Sequence, residues 1–189
     1  TLKVQGALRI EGQGELRLAA GSTLDAKGKV TLAGATVTAG NCCTDPATFN
    51  ATGDVTVEKA AGVSSLNSME ARFSGTVDLN GGILEIDSLD PVFQGGGTLR
   101  LEGGALRASG VVLFKPGAVL QGPGTVLGNV AMTGTVRFDA RGRLLVKGSY
   151  RQEFGGRLEI KFASADRDLL QVDGPVELAG QLNLSGTIA

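Results

Sequence analysis

The residues of this sequence best spaced for chemistry are carboxylates two apart: Glu85 with Asp87 in "GGILEID", and Asp166 with Asp168 in "FASADRD". In an extended strand, residues i and i+2 point to the same side. Two acids ~5–9 Å apart on one face are what glycosidic bond cleavage requires. The chain contains no His, which removes the commonest general base, the commonest metal ligand and the usual activator of Ser or Cys. Acid pairs are therefore the catalytic chemistry left open. The polar positions around them carry a mixture of Arg, Lys, Glu, Asp, Gln and Thr, the pattern of an outer sheet face whose charges pair across strands. We read the pairs as surface and expect no enzyme, no catalytic residue, no bound metal and no cofactor.

Other reactive types are sparse. Cys42 and Cys43 are adjacent and are the only cysteines. Adjacent thiols do not close an ordinary loop, because an ordinary bridge wants its Cα atoms ~4.4–6.8 Å apart. The pair is open to three readings: free structural thiols, a strained vicinal disulfide, or an interchain or redox pair. "GPGTVLG" (122–128) has the look of a phosphate-binding loop, but its third Gly comes one residue late and no helical pattern follows, so it reads as a corner. "GGILEID" places Ile83-Leu84 where a calcium-binding nonapeptide repeat wants x-Gly. Asn50-Ala51-Thr52 is a glycosylation sequon in a segment that reads as a loop, with Asn50 its acceptor; Asn183-Leu184-Ser185 is a second, inside a strand pattern.

Behind these residues stands one repeated phrase. "GALRIEG", "GELRLAAG", "GKVTLAG", "GTVDLNGG", "GTLRLEGG" and "GQLNLSG" all place apolar residues two apart with a polar residue between. That is strand periodicity with one buried face; helical spacing is absent over any useful length. Gly occurs 30 times, against ~7% in globular chains, and marks frequent turns, many of them in conformations only Gly adopts freely. Leading apolar residues recur at steps of six to eight, as in Leu99, Leu106, Leu113, Val119 and Val126. Antiparallel sandwiches space strands at ~8–12 residues. The shorter step suits a coil that always turns the same way, each strand lying on the one a full turn earlier. We therefore expect an all-β fold, a parallel β-helix or β-solenoid with about three short strands per ~20-residue coil.

Residues 39–54, "AGNCCTDPATFNATGD", break the rhythm. We expect one protruding loop there, an insertion over 40–54, with Asn41, Asp45, Phe49 and Asn50 as candidate interaction residues. Residues 62–74 read as a weaker, irregular coil and "FASADRD" as a shorter interruption. The aromatics Phe138, Tyr150 and Phe162 fall on apolar beats and read as core. Residues 1–189 form a single solenoid segment. Neither terminus shows a polar capping stretch, so we expect a piece of a longer chain.

The stretch 120–186 resembles secreted β-solenoid surface proteins of the autotransporter-passenger and large-adhesin kind. Their phrase G-x-L-x-V-x-G-x-Y-x-Q, then G-G-x-L-x-I, then D-x-L-x-V-x-G is matched by Gly142, Leu144, Val146, Gly148, Tyr150, Gln152, Gly155, Gly156, Leu158, Ile160, Asp168, Leu170, Val172 and Gly174. The match departs at "FDARGR", where such families often have a Pro-Gly-Ser turn, and the paired cysteines are foreign to most bacterial passengers. The resemblance implies a secreted or cell-surface rod that displays, spaces or adheres, and it transfers no catalytic residue. Its implied partners are neighbouring segments of the same chain, copies of itself, or a glycan or protein on a host or cell surface. The formal charge of −1 gives no basic footprint for nucleic acid. No apolar run approaches the ~18–20 residues of a membrane helix. A polysaccharide-cleaving enzyme or tailspike-like depolymerase on the same scaffold, and a self-assembling filament subunit, are the competing functions.

Overall fold

The computed structural model describes residues 1–40, 45–58, 62–87, 90–138, 142–163, 166–167 and 169–187. It is an all-β solenoid whose strands stack in three parallel ladders. The first ladder runs through β1 (Leu2–Val4), β4 (Thr23–Ala26), β7 (Ala47–Ala51), β10 (Met69–Phe73) and β13 (Val92–Phe93). It continues through the second halves of β15 (Ala105–Phe114) and β17 (Gly124–Met132), then β20 (Tyr150–Gln152) and β24 (Val176–Leu178). The second ladder contains β2 (Leu8–Glu11), β5 (Val30–Ala33), β8 (Val55–Val57), β11 (Thr76–Asp78), β14 (Thr98–Arg100), β16 (Val119–Gln121), β18 (Thr135–Arg137), β21 (Arg157–Ala163) and β25 (Gln181–Thr187). The third contains β3 (Glu15–Leu18), β6 (Thr36–Ala39), β9 (Val63–Asn67), β12 (Ile83–Asp87), the first halves of β15 and β17, β19 (Arg143–Val146) and β23 (Leu169–Val172).

Among the described residues every pairing between strands is parallel except that of β22 (Asp166–Arg167), which runs antiparallel to the end of β21; one isolated bridge, Glu58 with Gly81, is also antiparallel. The rise from one coil to the next varies with corner length. Along the first ladder it is as short as 18 residues, from Phe114 to Met132, and as long as 26, from Gln152 to Leu178. Among the described residues no helix is long and apolar enough to cross a membrane.

Alternation decides what each ladder buries. In the second ladder one inward position is filled in turn by Leu8, Val30, Val55, Val77, Leu99, Leu120, Val136, Leu158 and Leu182, each in register with the next. Residues Val30 to Val136 of this column are wholly buried. Full burial of one such side chain contributes about 1.5–3 kcal/mol. No single coil could achieve it, because each coil covers only its neighbours. In the first ladder the inward column is aromatic: Phe73, Phe93 and Phe114 are register partners, with ring centroids 4.9 and 4.8 Å apart.

The corners use glycine for two reasons, of which the sequence pattern suggested one. At Lys115-Pro116-Gly117-Ala118, Gly117 has φ 85° and the Ala118 amide donates to the Lys115 carbonyl at 3.0 Å. That is a turn with Pro at its second position and Gly at its third. The column Gly28, Gly53 and Gly75 is different, since none of the three has a positive φ. A Cβ on Gly53 would collide with the carbonyl oxygen of Gly28, and one on Gly75 with that of Gly53. Successive coils approach so closely there that no side chain fits.

The expected loop over 40–54 is shorter than its sequence suggested. Residues Ala47–Ala51 are β7, paired over its length with β10. The "irregular" coil of 62–74 is also regular: β9 and β10 meet at a one-residue corner, Ser68, with φ 59°.

Candidate interaction surface

Of the residues proposed to leave the repeat, Phe49 does the opposite. It points into the core, is 0% exposed and lies 6.0 Å from Phe73. As an interaction residue it is corrected: the stretch Ala47-Thr48-Phe49-Asn50-Ala51 alternates inward and outward like any other strand. Two of its three inward residues are Ala, too small to register as a hydrophobic beat, and that hid the strand. Asn50 faces outward and is half-buried. Its Nδ2 donates to Asp25 Oδ1 at 3.0 Å, one coil back. The sequon thus lies in a strand rather than a loop, and the hydroxyl of Thr52 donates to the Ala26 carbonyl at 3.4 Å. Asp45 is exposed; its carbonyl accepts from the Gly21 amide at 2.9 Å, and its carboxylate lies over Gly21 where a Cβ would otherwise be. Asn41, Cys42 and Cys43 lie outside the described residues.

The acid pairs are placed as follows. Glu85 and Asp87 both face outward from β12, and Glu85 accepts from Arg107 at 3.4 Å, its register partner one coil on. Asp166 belongs to β22, and Asp168 lies outside the described residues. Elsewhere cations and carboxylates also pair along or across coils: Arg137 with Glu159 at 3.0 Å, Arg72 with Glu70 at 2.7 Å, and Arg151 with Glu153 at 2.9 Å. Arg9 grips Glu58 through both terminal guanidinium nitrogens, at 2.8 and 3.0 Å, reaching past β5 to a coil two turns on. That hydrogen bonding holds the Glu58 carboxyl below the usual carboxylate range and the Arg9 guanidinium above its own.

The outer face of the first ladder carries two shallow grooves. One, of about 510 Å³, is lined by Glu70, Arg72, Asp90, Val92, Gln94 and Lys115. The other, of about 270 Å³, is lined by residues including Val111, Asn129, Ala131, Ser149, Arg151 and Glu177. Their carboxylates are largely committed. Glu70 is paired with Arg72, and Asp90 Oδ1 accepts from the Val111 amide at 2.7 Å across the coil boundary. Asn129 Oδ1 plays the same part, accepting from the Ser149 amide at 2.9 Å and its hydroxyl at 3.0 Å. These side chains staple coil to coil.

Of the aromatics expected in the core, Phe138 and Tyr150 are buried. The side chain of Phe162 lies outside the described residues. Phe154 is the exception that alternation did not reveal: it sits on the corner between β20 and β21 and is 91% exposed. Its position after Gln152-Glu153 and before Gly155-Gly156, outside any alternating run, was the available signal.

A stack of short parallel strands with an apolar interior and paired surface charges defines a repeat-built rod. The family model of the haemagglutinin repeat matches residues 1–59 and 92–148, more than half of the chain, and the chain belongs to that family. It is a family of secreted or cell-surface adhesins. The Tyr150–Gly174 part of the sequence resemblance falls beyond the matched residues. No curated protein and no solved structure matches the chain.

Proposed function

We propose that this chain is a stiff spacer of an extracellular adhesin, a stalk that carries binding elements away from the surface and performs no catalysis. The observation that supports this most is the commitment of its polar side chains. The outward carboxylates Glu70, Glu85, Glu153 and Glu159 are each ion-paired, and Asp54, Asp90 and Asn129 accept backbone amides of the next coil, at 3.1, 2.7 and 2.9 Å respectively. A polysaccharide-cleaving site would need two carboxyl groups free to exchange protons across a sugar. The partners of such a stalk are the neighbouring coils of the adhesin to which it belongs; a surface glycan or protein would be met by elements outside the repeat.

The test is to display the segment on beads or on a cell surface, alone and beneath a known binding module. A spacer leaves glycans and host cells untouched by itself and extends the reach of the module. Cleavage of any polysaccharide in a panel, or saturable cell binding by the segment alone, would replace this reading with the enzymatic or the directly adhesive one. Filaments that lengthen with concentration under the electron microscope would replace it with self-assembly.

A further inference from the structure

The Tyr150-x-Gln152 phrase does work that a spacer repeat does not need. Gln152 occupies the inward column filled in the preceding coils by Phe73, Phe93, Phe114 and Met132, yet it carries a carboxamide and is 3% exposed. Its Nε2 donates to the carbonyl of Ala179 at 2.5 Å and to that of Gln181 at 3.2 Å, with Gly156 a third acceptor at 3.4 Å. Its Oε1 accepts from the Tyr150 hydroxyl at 3.3 Å. Tyr150 is itself wholly buried, stacked between Val130 and Val176 in register. A buried amide left without these partners would be costly.

The contacts sit where the corner changes length. Four residues, 153–156, turn the corner between β20 and β21, but two, 179–180, turn it between β24 and β25. The same four-to-two step occurs earlier, from 115–118 to 133–134, and there the interior stays apolar. The Thr133 hydroxyl bonds the Phe114 carbonyl at 2.7 Å from the corner instead. A short corner under a long one therefore does not itself require an interior amide. At the later step the amide reaches through the core and holds one carbonyl within the short corner, that of Ala179, and one just after it, that of Gln181.

We infer that Tyr150 and Gln152 form an interior latch that closes the coil of β24 and β25 onto the rod in one register. Apolar ladders are forgiving about which aliphatic residue meets which, whereas a carboxamide that must meet Ala179 and Gln181 accepts one alignment. When the latch is shut, β25 covers Leu158 over the second ladder; when it is open, the coil comes away as a unit and uncovers that column.

Native-state hydrogen exchange on the whole chain tests this. In the unaltered protein the amides of Ala179 and Gln181, which donate to the Gln152 and Gly156 carbonyls, should exchange no faster than those of Val176 and Asn183; if they exchange first, the latch does not hold the coil. Gln152→Met keeps the volume and continues the Met132 column while removing the hydrogen bonds. It should speed exchange over 176–187 by about tenfold and leave β7 to β18 unchanged. Tyr150→Phe should give the same pattern, smaller. Tyr150 is the only tyrosine and the chain has no Trp, so ultraviolet titration reads its surroundings directly. In Gln152→Met it should ionise closer to free tyrosine than in the unaltered protein. Wild-type exchange over 176–187 in Gln152→Met, with an unchanged tyrosine titration, overturns the latch and leaves Gln152 as a space-filler.

Discussion

Phe93 lies flat on Phe114, ring centroids 4.8 Å apart and planes inclined by 9°. The two are direct register partners in β13 and β15, and the ring spacing is that of neighbouring strands, ~4.8 Å. The backbone thus imposes the stack. Phe49 shows the converse: it is in register with Ala71 rather than with Phe73, so its ring meets Phe73 at 6.0 Å and 59°.

Replacing the middle ring should be severe. Phe93→Ala removes two ring contacts and leaves a hole between two rigid coils, and the expected loss is about 3–5 kcal/mol. Phe93→Leu keeps most of the volume and should cost less than half as much. Urea unfolding followed by circular dichroism measures both. Because coils bury their interior almost entirely against their immediate neighbours, the Ala variant should also broaden or split the transition.

Corner glycines separate into those that are crowded and those that are not. Gly53→Ala drives a methyl into the Gly28 carbonyl, whereas nothing lies within 4 Å of a Cβ on Gly6. We expect Gly53→Ala to destabilise by about 1–3 kcal/mol and Gly6→Ala to stay within about 0.5 kcal/mol of the parent. Thermal melts compare the two. Equal effects would mean that the coils can shift apart at that corner.

The solenoid was readable from the sequence because its signal repeats. A period of two with a return every six to eight residues leaves few other folds, and the ladders follow. Two things were not readable. The strand at Ala47–Ala51 hid behind small inward residues and a neighbouring run of turn formers. The Gln152 contacts depend on Ala179 and Gln181, 27 and 29 residues away, and on two corners of unequal length. Strand alternation marks Gln152 as inward-facing, but it says nothing about which carbonyls lie beneath. Composition pointed to the loop, whose residues 41–44 lie outside the described ones; the buried Gln152 carboxamide is a separate feature that composition did not mark.

Surface ion pairs should matter little to stability. Arg137 and Glu159 are register partners at 3.0 Å, with the Arg side chain 44% exposed. Such exposed pairs are worth about 0–1 kcal/mol. Arg137→Gln should therefore move the urea midpoint only slightly, and less still in high salt, where the charges are screened. Arg157 also lies 3.7 Å from Glu159, so the carboxylate keeps a cation in the variant, and a large effect would mean that Arg137 holds more than this exposed cluster.

Alkaline pH should loosen the rod at one identifiable place. Burial pushes the Tyr150 hydroxyl above its ordinary value, because the phenolate loses its hydration inside the core. A group whose pKa is raised on folding contributes stability that is whole below its unfolded value, about 10 for tyrosine, and that drains away as pH climbs from there through the folded value. The stability curve should thus be flat with respect to this group at neutral pH and fall above about pH 10. Tyr150→Phe removes the ionisable hydroxyl while keeping the ring. It should abolish that part of the alkaline loss, at the cost of one hydrogen bond to Gln152 at neutral pH. Urea midpoints taken across the alkaline range for the parent and Tyr150→Phe check both signs at once. Parallel curves would mean that the hydroxyl reaches solvent in the folded rod, which the closed core does not allow.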